Sequence, residues 1–365
     1  MRTVRNIIAG AVGCGVLAGV MLLGGCQEPM DVGGLPQQPS SVLDTSYIPI
    51  DPPFGGFTGP EAILLGRDQL LYVADTRADR LVMLNRAGGV LSTRSMLRPV
   101  SLAQDSRLDL LVGGVMVAAN GDTVGAIFRI HLVSSSADSA HRLDRARIDT
   151  VWRELAHPNR RFPGITVLND NTVLAARDGP DNASFIDPDA RVLEFDGSDA
   201  FITPLPAFVT GVGTGISNIN HPTGIAAFPN SKDFVLLQSS VGVAYGALWM
   251  TYQNNADFTG WLPRFDPANL QDRLVDFLRP NRYVLAVAAA VDPSRRDVFV
   301  ADAAQDSIFK FTSRGQLRSE SFGLIRAGGL MRRPSGLAFF ETLLYVLDRD
   351  QGVVLRFQLS TDVPR

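Results

Sequence analysis

The chain has 365 residues, 34 of them basic and 37 acidic, with 45% hydrophobic and 19% charged side chains, four histidines and two cysteines. Such a composition supports a packed core and excludes a disordered chain, and the net charge of −3 gives nucleic acid no electrostatic footing. Only Lys232 and Lys310 are lysines, so nearly all positive charge is carried by arginine.

Arg2 and Arg5 precede an uncharged apolar stretch from Ile7 to Gly25, which ends in Leu23-Gly24-Gly25-Cys26 and is followed by Gln27-Glu28-Pro29. A positive end, a short apolar core and small residues before a cut site describe an export signal. The closing four positions resemble the lipobox of bacterial lipoproteins, which has the form Leu, small, small, Cys. This resemblance implies cleavage after Gly25 and acylation of Cys26, with more than one chain for a durable membrane anchor. An uncleaved anchor is the competing reading, because a stretch of roughly 19 residues approaches spanning length; six glycines within it fit processing better. Cys14 would leave with the leader, so no disulfide is expected despite an oxidising compartment. Loss of Arg2 and Arg5 leaves 32 basic against 37 acidic side chains. Gln27 after the lipidated Cys resembles the outer-membrane sorting pattern of Gram-negative lipoproteins. The implied address is an exported, membrane-anchored protein at the outer membrane, with the periplasmic or surface side left open.

Residues 1–25 thus read as the signal peptide and 26–44 as the lipidated Cys with a tether. The tether sequence QEPMDVGGLPQQPSSVLD is rich in Pro, Gly, Gln and Ser without an apolar period. As a coil its reach is roughly 25 Å.

Residues 45–365 are built from repeats. GPEAILLGRDQLLYVAD (Gly59 to Asp75) is echoed by FPGITVLNDNTVLAARD (Phe162 to Asp178), HPTGIAAFPNSKDFVLLQ (His221 to Gln238) and RPSGLAFFETLLYVLD (Arg333 to Asp348). RPVSLAQDSRLDLLVGG, Arg98 to Gly114, is a degenerate copy, and VLAVAAAVDPSRRDVFVAD, ending at Asp302, has lost the proline. The distance from proline to closing residue is 15 in three copies, 16 from Pro222 to Gln238 and 14 from Pro334 to Asp348, a constancy that marks internal repetition. Each unit predicts an apolar strand after the proline, a polar turn and a second apolar strand closing at the Asp. A third strand follows, at Arg80 to Asn85, Arg191 to Asp196, Ser307 to Phe311 and Val353 to Phe357, then a Gly turn and a poorer fourth strand.

Six four-stranded antiparallel units in one all-β chain predict a closed six-bladed β-propeller, in which neighbouring blades bury each other's faces. The units resemble NHL repeats, whose pattern is Pro-x-Gly-[Ile/Val]-Ala, then Val-x-Asp, then Arg-Val. Pro222 to Ala226 and Pro334 to Ala338 carry the first part, Val73-Ala74-Asp75 and Val300-Ala301-Asp302 the second, and Arg80-Leu81-Val82 the third. The last unit runs out after its third strand, so the segment around Tyr47 to Ile50 is expected to supply the fourth and close the ring, since an open ring would leave an unpaired edge.

Function is expected on the face that carries the connections from second to third strand. Three of these are long and lie on adjacent blades: Val115 to Gly125, Gly179 to Ala190 and Ser239 to Gly246. The same face receives the residues just before each inner strand. Arg98, Arg161, His221, Arg282 and Arg333 there form the expected ligand-binding collar, suited to a carboxylate or phosphate. Asp75, Asp178, Asp302 and Asp348 recur in separate blades and are expected to cap the following turns rather than to bind metal. No metal-ligand spacing links His131, His141, His157 and His221, and no cofactor is expected. Lyases with NHL-type propellers set several histidines around a metal, whereas here only His221 is at an inner position. Propeller lactonases use acidic and Asn calcium ligands, matched only by isolated Asn218 and Asn220. The run GVGTG at Gly211 to Gly215 lacks a following helix pattern and reads as a flexible lead into blade four. The expected role is a ligand- or protein-binding scaffold whose partners are the membrane, through Cys26, and an envelope protein or small anionic ligand. The alternative is a metal-assisted hydrolase or lyase at the channel mouth.

Overall fold

The computed structural model describes residues 45–133, 141–184, 186–205, 219–239, 244–323 and 330–363. The leader, Cys26, the tether, Gly211 to Gly215 and Asn218 lie outside them.

Six antiparallel sheets follow one another around a central channel, in the order of the sequence repeats. Blade one runs Ala62–Leu65, Leu71–Asp75, Arg80–Leu84 and Val90–Ser95, each strand pairing with the next. Blades two, three and four repeat this from Ser101–Gln104, Arg161–Val167 and Pro222–Ala227 outward. In blade five, Ala286–Val291, Val298–Asp302 and Ser307–Phe311 are regular, and the fourth place is marked by isolated bridges from Phe311 to Leu317 and Ile308 to Phe322. The two helical turns named among the described residues, Thr76–Ala78 and Asp272–Leu274, are short 3-10 turns.

The propeller follows from the two-sided burial of the second strands. Leu71–Asp75, Phe234–Gln238 and Val298–Asp302 are buried at every position, which suits near-continuous apolar runs rather than an alternating pattern. A separate apolar cluster fills each gap between neighbouring blades: Leu110 and Val112 of blade two meet Tyr72 and Ala74 of blade one, and Val298 and Val300 of blade five meet Val235 and Leu237 of blade four. The outermost strands are more exposed, as at Arg147–Arg153.

Closure occurs as the repeat count requires. Tyr47–Pro49 pairs with the third strand of blade six, Val353–Leu359, in the register Tyr47 to Leu359, and Phe54–Gly55 pairs with its beginning. Tyr47 lies edge-on to Phe299, with ring centroids 5.9 Å apart, and 5.3 Å from Phe322. Phe54 is buried beneath the Arg356 guanidinium, 4.4 Å from its ring.

Small residues and hydroxyls let the inner strands approach. A Cβ on Gly164 would lie 2.7 Å from the Ile225 nitrogen, and one on Gly224 would lie 2.6 Å from the Val287 carbonyl oxygen, so neither position accepts a side chain without moving the next blade. Ser101 Oγ donates to the Phe162 carbonyl at 2.7 Å, Ser335 Oγ to that of Pro60 at 2.9 Å, and Thr223 Oγ1 to that of Ala286. These bonds satisfy carbonyls that the ring geometry turns away from any strand ladder.

Two faces result. Inner strands begin and second strands end on the upper face; the turns joining first to second strands lie on the lower. Each of those lower turns holds one left-handed residue: Gln69, Leu108, Asn171, Asn230, Arg296 or Glu341, with φ between 54° and 69°. Two of the six are Asn, the side-chain type that favours this region.

One expected loop is shaped differently. Val115 to Gly125 is mostly strand: Leu110–Val117 and Thr123–His131 pair as far as Val117 and Thr123, leaving a short turn at the tip. β-branched Val115, Val117, Thr123 and Val124 prolong the ladder beyond the blade, so blade two raises a hairpin above the upper face. Gly179 to Ala190 is a true connection, described except at position 185, and of Ser239 to Gly246 only the two ends are described.

Candidate functional site

The channel encloses about 760 Å³ and is lined by the inner strands of all six blades, with Glu61, Asp178, Arg333 and Arg349 at its upper mouth and Arg67, Gln104, Asn169 and Asn230 at its lower end. The volume lies in the range of roughly 300–1,000 Å³ typical of small-molecule sites.

The mouth is of mixed charge rather than a plain ring of cations. Arg349 pairs with Glu61 at 3.0 Å, joining blades six and one. Arg333, the one residue of the expected collar that lines the channel, is exposed and has no carboxylate within bonding distance among the described residues; its charge offsets in part the burial and the surrounding acids that push the Asp306 carboxyl up. Arg282 stands apart, held by Asp276 at 3.1 Å.

Arg98 and Arg161 sit over neighbouring blades two and three. Arg98 is exposed, and Asp79 Oδ1 accepts its backbone N–H at 2.8 Å. Arg161 is half-buried and donates to the carbonyls of Pro158 and Arg160. Neither guanidinium meets a carboxylate among the described residues. Burial, then the charge of Arg98, pulls the Arg161 guanidinium below its ordinary value, as expected of a cation left without a counterion.

The closing residue of each second strand shows where blade three departs from its neighbours. Fully buried Asp75, Asp302 and Asp348 accept the backbone N–H of the segment leading into the inner strand: Thr58 at 2.7 Å, Val284 at 2.6 Å and Arg332 at 2.6 Å. Gln238 does the same for Asn220 at 3.0 Å. The expected capping of the following turn holds for Asp302, which accepts the N–H of Ala304 and Gln305, and for Asp348, which accepts those of Asp350 and Gln351, whereas Asp75 takes the Arg80 guanidinium instead. In blade three the corresponding Arg160 N–H donates to the His157 carbonyl instead. Buried Arg177 holds the closing place in blade three, pairing with Arg191 as Asp75 does with Arg80, and Asp178 stands one residue beyond it with a side chain 32% exposed, at the channel mouth, 3.1 Å from His221 Nδ1 of blade four. Burial pushes its carboxyl up, against His221 and the Gly179 N–H, and Asp189 adds to the upward push. An acid and an imidazole in contact at a channel mouth can together accept and release a proton.

A second departure lies in the backbone. Before the proline of blade one stands Gly59, at φ 77°; the same place holds Arg98 at φ 42° in blade two and His221 at φ 47° in blade four. Left-handed backbone is free for glycine and costs other residues about 1–2 kcal/mol, so both side chains are held at a conformational cost.

Charged groups absent from the sequence reading hold the long connection of blade three. Arg160 reaches Asp189 at 2.6 Å, Asp187 at 2.7 Å and Glu154 at 3.4 Å, while Arg177 reaches Asp187 at 2.7 Å and Glu154 at 3.3 Å. All but Asp189 line a cavity of about 420 Å³ behind Trp152 and Phe201. Their sequence signal is slight: Arg160 stands just before the inner strand, and Arg177 takes the strand place that Asp75 holds in blade one.

No protein-family model matches the chain, and no curated protein sequence does. Solved structures resemble it in fold. A glucose dehydrogenase is 14% identical with a TM-score of 0.56, covering 84% of this chain and 98% of its own. A gluconolactonase from Xanthomonas campestris is 14% identical with a TM-score of 0.54, covering 86% and 97%. Virginiamycin B lyase from Staphylococcus aureus is 13% identical with a TM-score of 0.50, covering 86% and 99%. Identities this low establish the six-bladed ring alone, and the three names span different chemistries, so fold does not choose among them.

Proposed function

We propose that the protein is a cell-envelope lipoprotein, exported and lipidated at Cys26, whose NHL-like propeller is a binding module with its ligand site on the upper face. The observation that carries the site is a set of upper-face guanidinium groups that meet no carboxylate among the described residues, with Arg333 at the channel mouth itself. The ligand class follows from charge. Arg98, Arg161 and Arg333 have no carboxylate partner among the described residues, in a chain whose acids outnumber its bases, and such guanidinium groups suit a carboxylate or phosphate.

Inorganic phosphate or citrate at about ten times its Kd should stabilise the protein by about 1.4 kcal/mol, a rise of a few degrees in Tm. The rise should vanish in the double variant Arg98→Ala, Arg333→Ala, both of whose sites are exposed. No shift with either anion would sink the small-anion reading. Anchoring has its own check: fatty-acid label fed to the cells should mark the protein and not its Cys26→Ser variant, and an unlabelled protein that keeps residues 1–25 would favour an uncleaved leader.

A metal-assisted hydrolase or lyase is the second reading, favoured by the contact of Asp178 with His221 at the mouth. Stoichiometric divalent metal in protein purified without chelator, lost on His221→Ala, would place that reading first.

A further inference from the structure

Arg77, Arg98 and Arg161 lie side by side along the upper face. The Arg77 stem covers Gly59, where an added Cβ would stand 2.6 Å from its Cδ. Asp79, two residues on, binds the Arg98 backbone N–H, and the charge of Arg98 is felt at Arg161. The three guanidinium groups have no carboxylate partner among the described residues. The nearby acids are engaged: Asp79 with Arg98, Asp122 with Asn120 at the hairpin tip, and Asp178 with His221.

Apolar side chains stand between these charges. Leu97 is 37% exposed, Val117 at the head of the raised hairpin 60%, and Leu155 in the segment leading to Arg161 57%. The hairpin is fixed to this ground, since the Val115 N–H donates to the Leu97 carbonyl at 3.2 Å. Arginine set among exposed aliphatic side chains is the composition of a protein contact surface.

We propose that Arg77, Arg98 and Arg161, with Leu97, Val117 and Leu155, form a docking surface for an acidic protein segment that also carries aliphatic side chains. This rests on the binding-module reading and selects its partner. A small anion would use the arginines and leave the aliphatic side chains wet. Opposite charge on the partner would also speed encounter, with a strong dependence on salt.

The test uses the full chain in detergent and a fluorescein-labelled peptide of about sixteen residues in which pairs of glutamates separate single leucines. Polyglutamate of equal length, polygalacturonate and inorganic phosphate serve as comparators. The peptide is expected to bind more tightly than polyglutamate and to weaken as salt rises. Arg77→Glu with Arg98→Glu, both exposed, should weaken it at least about tenfold. Leu97→Ser with Val117→Ser should abolish the preference over polyglutamate while leaving polyglutamate binding unchanged. Absence of peptide binding, indifference to the charge-reversed variant, or equal binding of polygalacturonate would overturn the proposal. Should phosphate still raise Tm while the peptide fails, the docking surface falls and the small-anion site stands; failure of both removes both.

Discussion

Arg160→Leu is expected to cost about 3–5 kcal/mol of stability, because it removes one partner from a buried ionic network and strands the others. Arg160 is 3% exposed, and Arg177, Glu154 and Asp189 are buried with it. Burial works against the Arg160 charge, and Asp189, Asp187 and Glu154 more than offset it, so the guanidinium is held above its ordinary value. Without Arg160, Asp189 loses its 2.6 Å partner and Glu154 keeps only Arg177 and the Trp152 indole N–H. The effect should be read in the denaturation midpoint and in hydrogen exchange across residues 179–190, which Arg177 also ties through the carbonyls of Pro188 and Asp189. Asp189→Leu in the same background should recover part of the loss, the coupling expected of residues in one network. A cost below about 1 kcal/mol would show that the two arginines are not what fastens this connection to the ring.

Gly224→Ala is expected to destabilise by up to about 3 kcal/mol, the upper range for overpacking. The new Cβ would lie 2.6 Å from the Val287 carbonyl oxygen. Here the obstacle is backbone of the neighbouring inner strand, which belongs to a closed circle and cannot withdraw without opening another gap. The proper comparison is Gly55→Ala in the closing segment, whose Cβ would meet only Val353 Cγ1 at an ordinary 3.7 Å and should leave Tm unchanged. Equal Tm values for the two variants would mean that the inner strands have more room than described.

The blades are legible in the sequence because each repeat carries its own turn signal and a fully apolar second strand. Tyr47 to Ile50 is legible for a different reason: the last unit lacks a strand, and a ring tolerates no gap. Four things are not legible. Val117 and Thr123 continue a ladder beyond its blade, where spacing between repeats suggests a loop. Asp178 looks like one more closing aspartate in sequence, whereas the strand register gives that place to Arg177, which pairs with Arg191 as Asp75 pairs with Arg80, and sets Asp178 one residue beyond it. The left-handed backbone at Arg98 and His221 leaves no trace in the identity of either residue. The arginines before the inner strands look like one collar in sequence, whereas Arg282 is occupied by Asp276 and Arg98 with Arg161 stands apart from the channel.

The closing strand also decides how the domain bears a mechanical load. The chain arrives at Thr45 on the lower face, away from the channel mouth, and runs up alongside Val353–Leu359, with Ser360 N–H donating to the Ser46 carbonyl and Ile50 N–H to that of Arg356, both at 2.8 Å. Antiparallel ladder bonds lie across the strands. A pull on the chain before Thr45 therefore acts along the strand and strains all of these bonds together in shear, instead of peeling them one after another. In the anchored protein proposed here, drag on the propeller would therefore be borne by the very strand that closes its ring.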